Sequence, residues 1–213
     1  TTLLPQTGND VCSRHARDVR DALLAAAARA GAAVQPSSRV TGLAPQNGHW
    51  SVTVHGGGAV TASAVVLATG GQSLPKSGSD GFGYRLAKSL GHSLVETTPA
   101  LVPLTVNDPC CAALSGVAHP ASLRVVAQGR TLVTLEGALL WTHFGISGPL
   151  ALNVSRHWLR ARLADPDVRL QLNVLAGESF DTVEQWLVDQ QRDRPRAFLL
   201  TAIASRLPQA VAE

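Results

Sequence analysis

The sequence predicts an α/β protein with two parts, and three patterns along its 213 residues support this prediction. Residues 13–30 place apolar side chains at helical spacing, with Ser13 and Gly31 suited to the two ends of a helix. Residues 38–68 then read as strands joined by tight turns. From 101 to about 176, short β-like runs at regular spacing favour a small barrel or sandwich.

The composition indicates a globular protein with a real core, since 45% of the residues are apolar and 15% are charged. The net charge is only +3, and the arginines are scattered, so we predict no nucleic-acid partner. No apolar run is long enough for a membrane span, and no signal peptide begins the chain, so we predict no membrane partner. Three cysteines, two of them adjacent, favour a reducing, cytoplasmic location over a disulfide framework.

The strands of the first part are predicted from one turn and two apolar patterns. Asn47-Gly48 is a strong hairpin signal. The residues after it, 49–55, alternate between apolar and polar as a half-buried strand does. The next run, 59–68, ends in continuous apolar residues, which is typical of a buried parallel strand.

A short helix over residues 80–90 is predicted to follow, with Ser79 or Asp80 as its cap and Gly91 at its end. Prolines then mark a boundary near residue 98. We therefore assign residues 1–98 to a first domain and 99–213 to a second. The second is expected to hold a β-barrel over about 99–176 and a helical part over about 177–213.

A glycine-rich loop joins the predicted buried strand to the short helix and reads ATGGQSLPKSGSDGFG over residues 68–83. Ligands of open α/β sheets bind beyond the carboxyl ends of strands, and exposed amides in such turns favour phosphates. The loop therefore indicates a cofactor site, although a turn followed by a helix cap explains the same glycines. Neither stricter phosphate-binding signature is present.

Other catalytic patterns are weak. Residues 145–149 read GISGP, in which proline replaces the second glycine of a nucleophile elbow. The seven histidines show no metal-ligand spacing, so no metal site is predicted. Adjacent Cys110 and Cys111 are interpreted as packing residues rather than a redox pair. No catalytic residue is assigned.

Two segments match motifs of a known family. Residues 68–84 carry A-T-G-G-x-S-x-P-x-x-G-S-x-G-x-G-Y, and residues 139–155, LLWTHFGISGPLALNVS, are similar to L-F-T-H-x-G-I-S-G-P. A weaker match covers the start of the chain. Together these segments resemble the BaiN/YhiN-like (aminoacetone-oxidase-like) family of NAD(P)/FAD-dependent oxidoreductases.

The resemblance implies part of a Rossmann-like FAD-binding domain with an inserted small β-barrel and helical subdomain. On this interpretation residues 1–98 are the middle of the FAD domain, and 99–213 are most of the insert. The family's N-terminal G-x-G-x-x-G and its C-terminal glycine-rich segment have no counterpart here, and the chain has no methionine. We therefore expect an internal fragment of a longer protein.

The resemblance also implies where FAD would lie. Val40 would meet the adenine through its backbone, the stretch from Ala68 to Gly71 would pass beside the pyrophosphate and ribityl chain, and the residues after it would lie near the flavin. The implied cofactor-binding residues are Val40, Ala68, Thr69, Gly70, Gly71, Ser73, Pro75, Lys76, Gly78, Ser79, Asp80 and Gly81. Of these, Asp80 is also explained as a helix cap.

Two functions follow from these patterns. The first is a flavoenzyme that acts on a small organic substrate or a nicotinamide, with NAD(P)H as an electron partner. The second is a non-catalytic module, in which 99–213 serves as a substrate lid or a subunit contact and the chain has no activity of its own.

Overall fold

The computed structural model describes residues 15–196 and 198–213, and the chain divides into two units, residues 1–94 and 95–213. Each unit has its own antiparallel sheet, so the fold is a mixed α/β arrangement. The helix predicted at the start of the chain forms over Ala16–Arg29 (α1). Its predicted cap, Ser13, lies outside the described residues.

The first unit contains a three-stranded meander between two helices. Asn47 and Gly48 both take positive φ, +50° and +78°, so the predicted hairpin turn is confirmed. The elements after α1 are β1 (Val40–Gln46), β2 (His49–Val54), β3 (Gly58–Ala62), a short 3₁₀ helix (Pro75–Ser77) and α2 (Phe82–Ser89).

The buried parallel strand predicted over 59–68 is wrong. β3 ends at Ala62 and pairs antiparallel with β2, and the chain beyond it forms neither strand nor helix until the 3₁₀ helix. Val66 is 87% exposed. A parallel strand needs neighbours on both sides and cover on both faces, and no described strand pairs with these residues.

The second unit is built on a five-stranded sheet in the order β4-β7-β6-β5-β8. The four β-like runs predicted between residue 101 and about residue 176 form four of its strands: β4 (Leu104–Thr105), β5 (Ala118–Ala127), β6 (Arg130–Thr142) and β8 (Arg169–Asn173). A short helix, α3 (Cys110–Ala113), precedes β5, and a short strand, β7 (Gly145–Ser147), follows β6.

A 15-residue helix interrupts the region predicted to be entirely β. This helix, α4 (Gly148–Arg162), begins with Pro149 in its first turn and buries Leu150, Ala151 and Val154 against β5 and β6. The C-terminal part contains three helices among the described residues: α5 (Phe180–Asp193), α6 (Leu199–Ala204) and α7 (Gln209–Ala212).

The hydrophobic core belongs to the second unit. It joins one face of the sheet to α4 and includes Leu123, Val125 and Leu139, which are all fully buried. Beside it, the Trp141 indole N–H donates a hydrogen bond of 3.0 Å to His119 Nε2. The only large hydrophobic residue buried among the described part of the first unit is Leu86.

We expect amide hydrogens of β1, β2 and α1 to exchange much faster than those of β5 and β6. The described residues of α1 include no buried side chain, and Leu23 remains 64% exposed, so little apolar burial opposes local opening there. Hydrogen exchange followed by mass spectrometry measures this directly. Equal protection of the two sheets would contradict the expectation.

Candidate functional site

A cavity of about 280 Å³ lies in the first unit, between its sheet and the glycine-rich loop. Val40 and Val52 come from neighbouring strands, Val65 and Thr69 come from the irregular segment after β3, and Phe82 comes from α2. The lining is largely apolar. A space of this size and polarity suits a flat aromatic ring rather than a whole dinucleotide.

The glycine-rich loop folds back on itself beside this cavity. Gly81 N–H donates to the Gly71 carbonyl at 3.0 Å, which ties the end of the ATGG stretch to the start of α2. A Cβ on Gly83 would lie 2.0 Å from Thr69 Oγ1, and a Cβ on Gly70 would lie 2.8 Å from Ser79 Oγ. Gly83 is therefore needed for contact between loop segments, because Thr69 Cβ and Cγ2 would also lie within 3.3 Å of its Cβ, whereas the Ser79 hydroxyl can rotate away from a Cβ on Gly70.

An ion pair joins the loop to the first strand. Arg39 donates to Asp80 Oδ2 at 2.6 Å, and Asp80 Oδ1 accepts the Phe82 N–H at 3.0 Å at the start of α2. The guanidinium groups of Arg39 and Arg85 each lie 5.0 Å from the centre of the Phe82 ring. Asp80 is thus a helix cap and also the link between α2 and the residue before β1.

The charge on Asp80 is favoured by these contacts. The hydrogen bond from Arg39 and then that from the Phe82 N–H hold the pKa of the Asp80 carboxyl below its usual value. The stabilisation from this link is therefore fully present above the ordinary carboxyl pKa. It is lost as the pH falls through the lowered value.

The structure brings together some of the residues implied by the family resemblance. Val40, Thr69 and Gly78 line the cavity, and Asp80 reaches its rim through Arg39. Further contacts within the loop hold Gly70, Gly71, Ser79 and Gly81 close to one another. The residues that do not line the cavity include Ala68, Ser73, Pro75 and Lys76.

Sequence reasoning missed Arg39, Phe82 and Arg85. Arg39 lies 41 residues before Asp80, so nothing local in the sequence signals their contact. The position of Phe82 in the first turn of the predicted helix was visible, but its role as a platform for two guanidinium groups depends on the folded loop.

The backbone N–H groups of the segment beside the cavity are suited to the phosphates of a dinucleotide. Between residues 65 and 70, no described backbone N–H donates a hydrogen bond to another described residue. Free amides on an exposed, glycine-containing segment bind the oxygens of a pyrophosphate, and the neighbouring apolar cavity accepts a ring. The residues present are therefore suited to a group such as FAD.

The same described residues do not form a metal site or a reactive thiol. No three His, Cys, Asp or Glu side chains there come together as a metal site would require. Hydrogen bonding to Asp108 raises the pKa of the Cys110 thiol to about 11, so this thiol stays protonated at neutral pH. No helix in the described part of the chain is long and apolar enough to cross a membrane.

The curated proteins that are similar to this chain include the following three. A ribosomal RNA dihydrouridine synthase of Escherichia coli (strain K12) is 28% identical over 206 residues, which are 97% of this chain and 49% of that protein. A protein of the same name from Haemophilus influenzae is 30% identical over 70% of this chain and 34% of its own length. A 3-dehydro-bile acid delta(4,6)-reductase of Clostridium scindens is 34% identical over 54% of this chain and 28% of that protein.

The chain thus spans about half the length, or less, of these relatives. The family model described as "HI0933-like protein barrel and H2TH domain" matches residues 98–213, which is more than half of the chain. This match contains the five-stranded sheet, α4 and the C-terminal helices. The chain belongs to the HI0933-like family, within the broad BaiN/YhiN-related group of oxidoreductases that its two motifs resemble.

Proposed function

We propose that this chain is part of an FAD-dependent reductase. The observation that carries the proposal is the apolar cavity lined by Val40, Thr69 and Gly78, which lies beside a run of backbone amides that donate to no described residue. Family membership and the name of the bile acid reductase support it. We also propose that the protein is cytoplasmic, that residues 1–98 are part of the FAD-binding domain, and that residues 99–213 are most of the inserted domain.

Each part of the loop has a proposed role. The adenine ring would enter the cavity against Val40, and the amides of Ala68 to Gly71 would receive the pyrophosphate and the ribityl chain. The residues proposed to lie near the flavin ring are Ser73, Pro75, Lys76, Gly78, Ser79, Asp80 and Gly81. Arg39, through Asp80, would hold the start of α2 in place while the cofactor binds.

The reaction we propose is the reduction of a carbon–carbon double bond in a ring. The names of the relatives describe two such reductions, one that forms dihydrouridine and one of a delta(4,6) bile acid. Bound FAD supplies the redox chemistry. A hydride and a proton would add across the double bond, and NAD(P)H would be oxidised to NAD(P)⁺. The chain's own residues would bind and orient the cofactor and substrate.

A titration of the full chain with FAD tests this proposal. We expect saturable quenching of flavin fluorescence, and we expect Gly70→Ala to weaken FAD binding at least about tenfold, since its Cβ would stand where the pyrophosphate is proposed to approach the backbone. Gly57→Ala is the matched control. Gly57 also has positive φ, +90°, but lies in the turn before β3 with open space around it.

The control separates a loss at the site from general backbone strain. Both substitutions put a side chain at positive φ, which costs about 1 to 2 kcal/mol. If the two variants lose affinity equally, or if FAD does not bind the unaltered chain, the proposed cofactor site is wrong.

A further inference from the structure

A groove of about 500 Å³ lies in the second unit between α5 and α6. Its lining is largely apolar and includes Phe180, Val183, Leu187, Val188, Phe198 and Leu199. It shares no lining residue with the cavity proposed for FAD, so it is a separate feature of the chain. We call it the α5–α6 groove.

The groove leaves large apolar side chains open to solvent. Phe198 is 82% exposed and Phe180 is 78% exposed, and the groove residues Val188 and Leu199 are exposed as well. A single exposed apolar side chain is ordinary, whereas several that share one groove mark a surface that another molecule covers.

Two charged side chains line the same groove towards opposite ends of α5. Glu184 lies in the second turn of the helix, and Arg194 follows its last residue. Ten residues of helix separate positions by about 15 Å. Neither Glu184 nor Arg194 forms an ion pair with a described residue.

The start of α5 carries uncompensated negative charge. Asp181 adds a second carboxylate to that of Glu184, and it also lacks an ion pair with any described residue. The neighbouring carboxylate of Glu178 is balanced, because it forms an ion pair with Arg206. Two negative charges therefore remain at this end.

The other end of α5 carries uncompensated positive charge. Arg192 is shared between two carboxylates, those of Asp189 and Asp193. Arg194 and Arg196 are both exposed, and neither has a described carboxylate partner. Three guanidinium groups thus lie near two carboxylates, which leaves one positive charge at this end.

A second copy of this chain matches both the charges and the apolar surface. If two α5 helices lie antiparallel across a two-fold axis, Glu184 of each copy meets Arg194 of the other. Phe180 lies one turn before Glu184, and Phe198 lies four residues after Arg194. The same symmetry therefore brings the Phe180 end of each groove to the Phe198 end of the other.

We propose that the α5–α6 groove is the interface of a homodimer with two-fold symmetry, in which Glu184 and Arg194 form two equivalent ion pairs between the copies. The apolar side chains of each groove cover those of the other. This gives residues 99–213 the role of a subunit contact, and it does not depend on the proposed FAD site.

Sedimentation velocity of the full chain tests the inference over loading concentrations of about 2 to 200 µM. We expect monomer and dimer in equilibrium, with a dissociation constant of roughly 1 to 50 µM, because a groove between two helices is a small interface. Phe198→Ser should weaken dimerisation at least about tenfold, since it removes an aromatic side chain from the contact. Phe198 is exposed, so circular dichroism should show that the fold is retained.

Charge reversal tests the two-fold pairing itself. Glu184→Arg and Arg194→Glu each replace two attractive contacts in the dimer by repulsive ones, so each should weaken dimerisation at least about tenfold. An equimolar mixture of the two variants should dimerise again to within about threefold of the original, because the heterodimer has opposite charges at both contacts. Association through any other surface would not be restored by mixing.

Arg156→Glu is the matched control for charge. Arg156 is exposed on α4 and does not line the groove, and its reversal changes the net charge by the same amount as Arg194→Glu. It should leave dimerisation within about twofold of the original, as expected for a charge outside the interface.

A chain that stays monomeric up to about 200 µM would overturn the inference, since the occupant of the groove would then not be a second copy. A dimer that Glu184→Arg and Arg194→Glu do not weaken would overturn it too. So would an equal loss in Arg156→Glu, or a mixture of the two groove variants that fails to dimerise.

Discussion

Gly145→Ala is expected to lower the free energy of unfolding by about 3 to 5 kcal/mol. A Cβ on Gly145 would lie 2.2 Å from the Leu104 carbonyl oxygen and 2.7 Å from the Val106 nitrogen. Both of those atoms belong to backbone, so they cannot move aside as a flexible side chain can. The φ of Gly145, +146°, adds strain for any residue with a Cβ.

The substitution should separate β4 from the rest of the sheet. β4 pairs only with β7 among the described strands, through Leu104 opposite Ile146 and Thr105 opposite Gly145. The Val106 N–H extends this contact by donating to the Phe144 carbonyl at 3.0 Å. Because Leu104 and Ile146 are both in the core, the loss of pairing would expose apolar surface as well.

Gly129→Ala is the matched control for this prediction. Gly129 also has positive φ, +74°, but it lies in the turn between β5 and β6 with nothing near its missing Cβ. The free energy of unfolding of this variant should fall by only about 1 to 2 kcal/mol, which is the cost of a side chain at positive φ. Chemical denaturation of both variants, followed by tryptophan fluorescence, gives the comparison. A loss for Gly145→Ala no larger than that of the control would show that the close approach of β4 is not needed.

The antiparallel strands were predictable because their signals are local. Asn47-Gly48 requires the positive φ values of a tight hairpin, and alternating residues around it need only their immediate partner strand. The long hairpin of β5 and β6 also turns through two residues of positive φ, since Gln128 and Gly129 at its tip have φ of +50° and +74°. Local turn chemistry and side-chain alternation thus predict pairing between strands that are neighbours in sequence.

The helix α4 was missed although its pattern was present. Leu150, Val154 and Trp158 recur every four residues, and Pro149 favours a helix start. The preceding Gly-Ile-Ser-Gly reads as a turn, and it does form β7 and the helix entry, so the turn signal obscured the start of the helix. The run from Val65 to Ala68 led to the opposite error, since a strand was predicted there and none forms. An apolar stretch predicts a buried strand only where partner strands exist.

For the candidate FAD site, the sequence predicted the glycine-rich loop but not the ion pair that holds the loop in place. The spacing of small residues from Ala68 to Gly71 located the segment, since glycine and alanine there report a close approach of backbone. In the structure, one of these close approaches is between two segments of the loop itself, because Thr69 packs on Gly83. The ion pair of Arg39 with Asp80 depends on tertiary folding and left no sequence signal.

Gly83→Ala is expected to disrupt this internal packing and to weaken FAD binding at least tenfold. Its Cβ would lie 2.0 Å from Thr69 Oγ1 and 3.1 Å from Thr69 Cβ, and overpacking of this kind costs about 1 to 3 kcal/mol. Every 1.4 kcal/mol or so corresponds to a tenfold change in affinity. Without this clash, alanine at a helix position would stabilise the protein by about 0.5 to 1 kcal/mol relative to glycine. A loss of stability and FAD affinity would therefore identify the contact with Thr69 as the cause.

A second substitution tests whether the contact with Thr69 is the cause. Thr69→Ala removes Oγ1 and Cγ2 and leaves one tight contact at 3.1 Å, which a shift of a few tenths of an ångström would relieve. The double variant should therefore recover most of the FAD affinity and the thermal stability that Gly83→Ala loses. We expect a coupling of at least about 1 kcal/mol between the two sites, measured by FAD titration and thermal denaturation of all four proteins. Additive losses in the double variant would show that Gly83 serves something other than its contact with Thr69, and the loop would then have to be described without this packing.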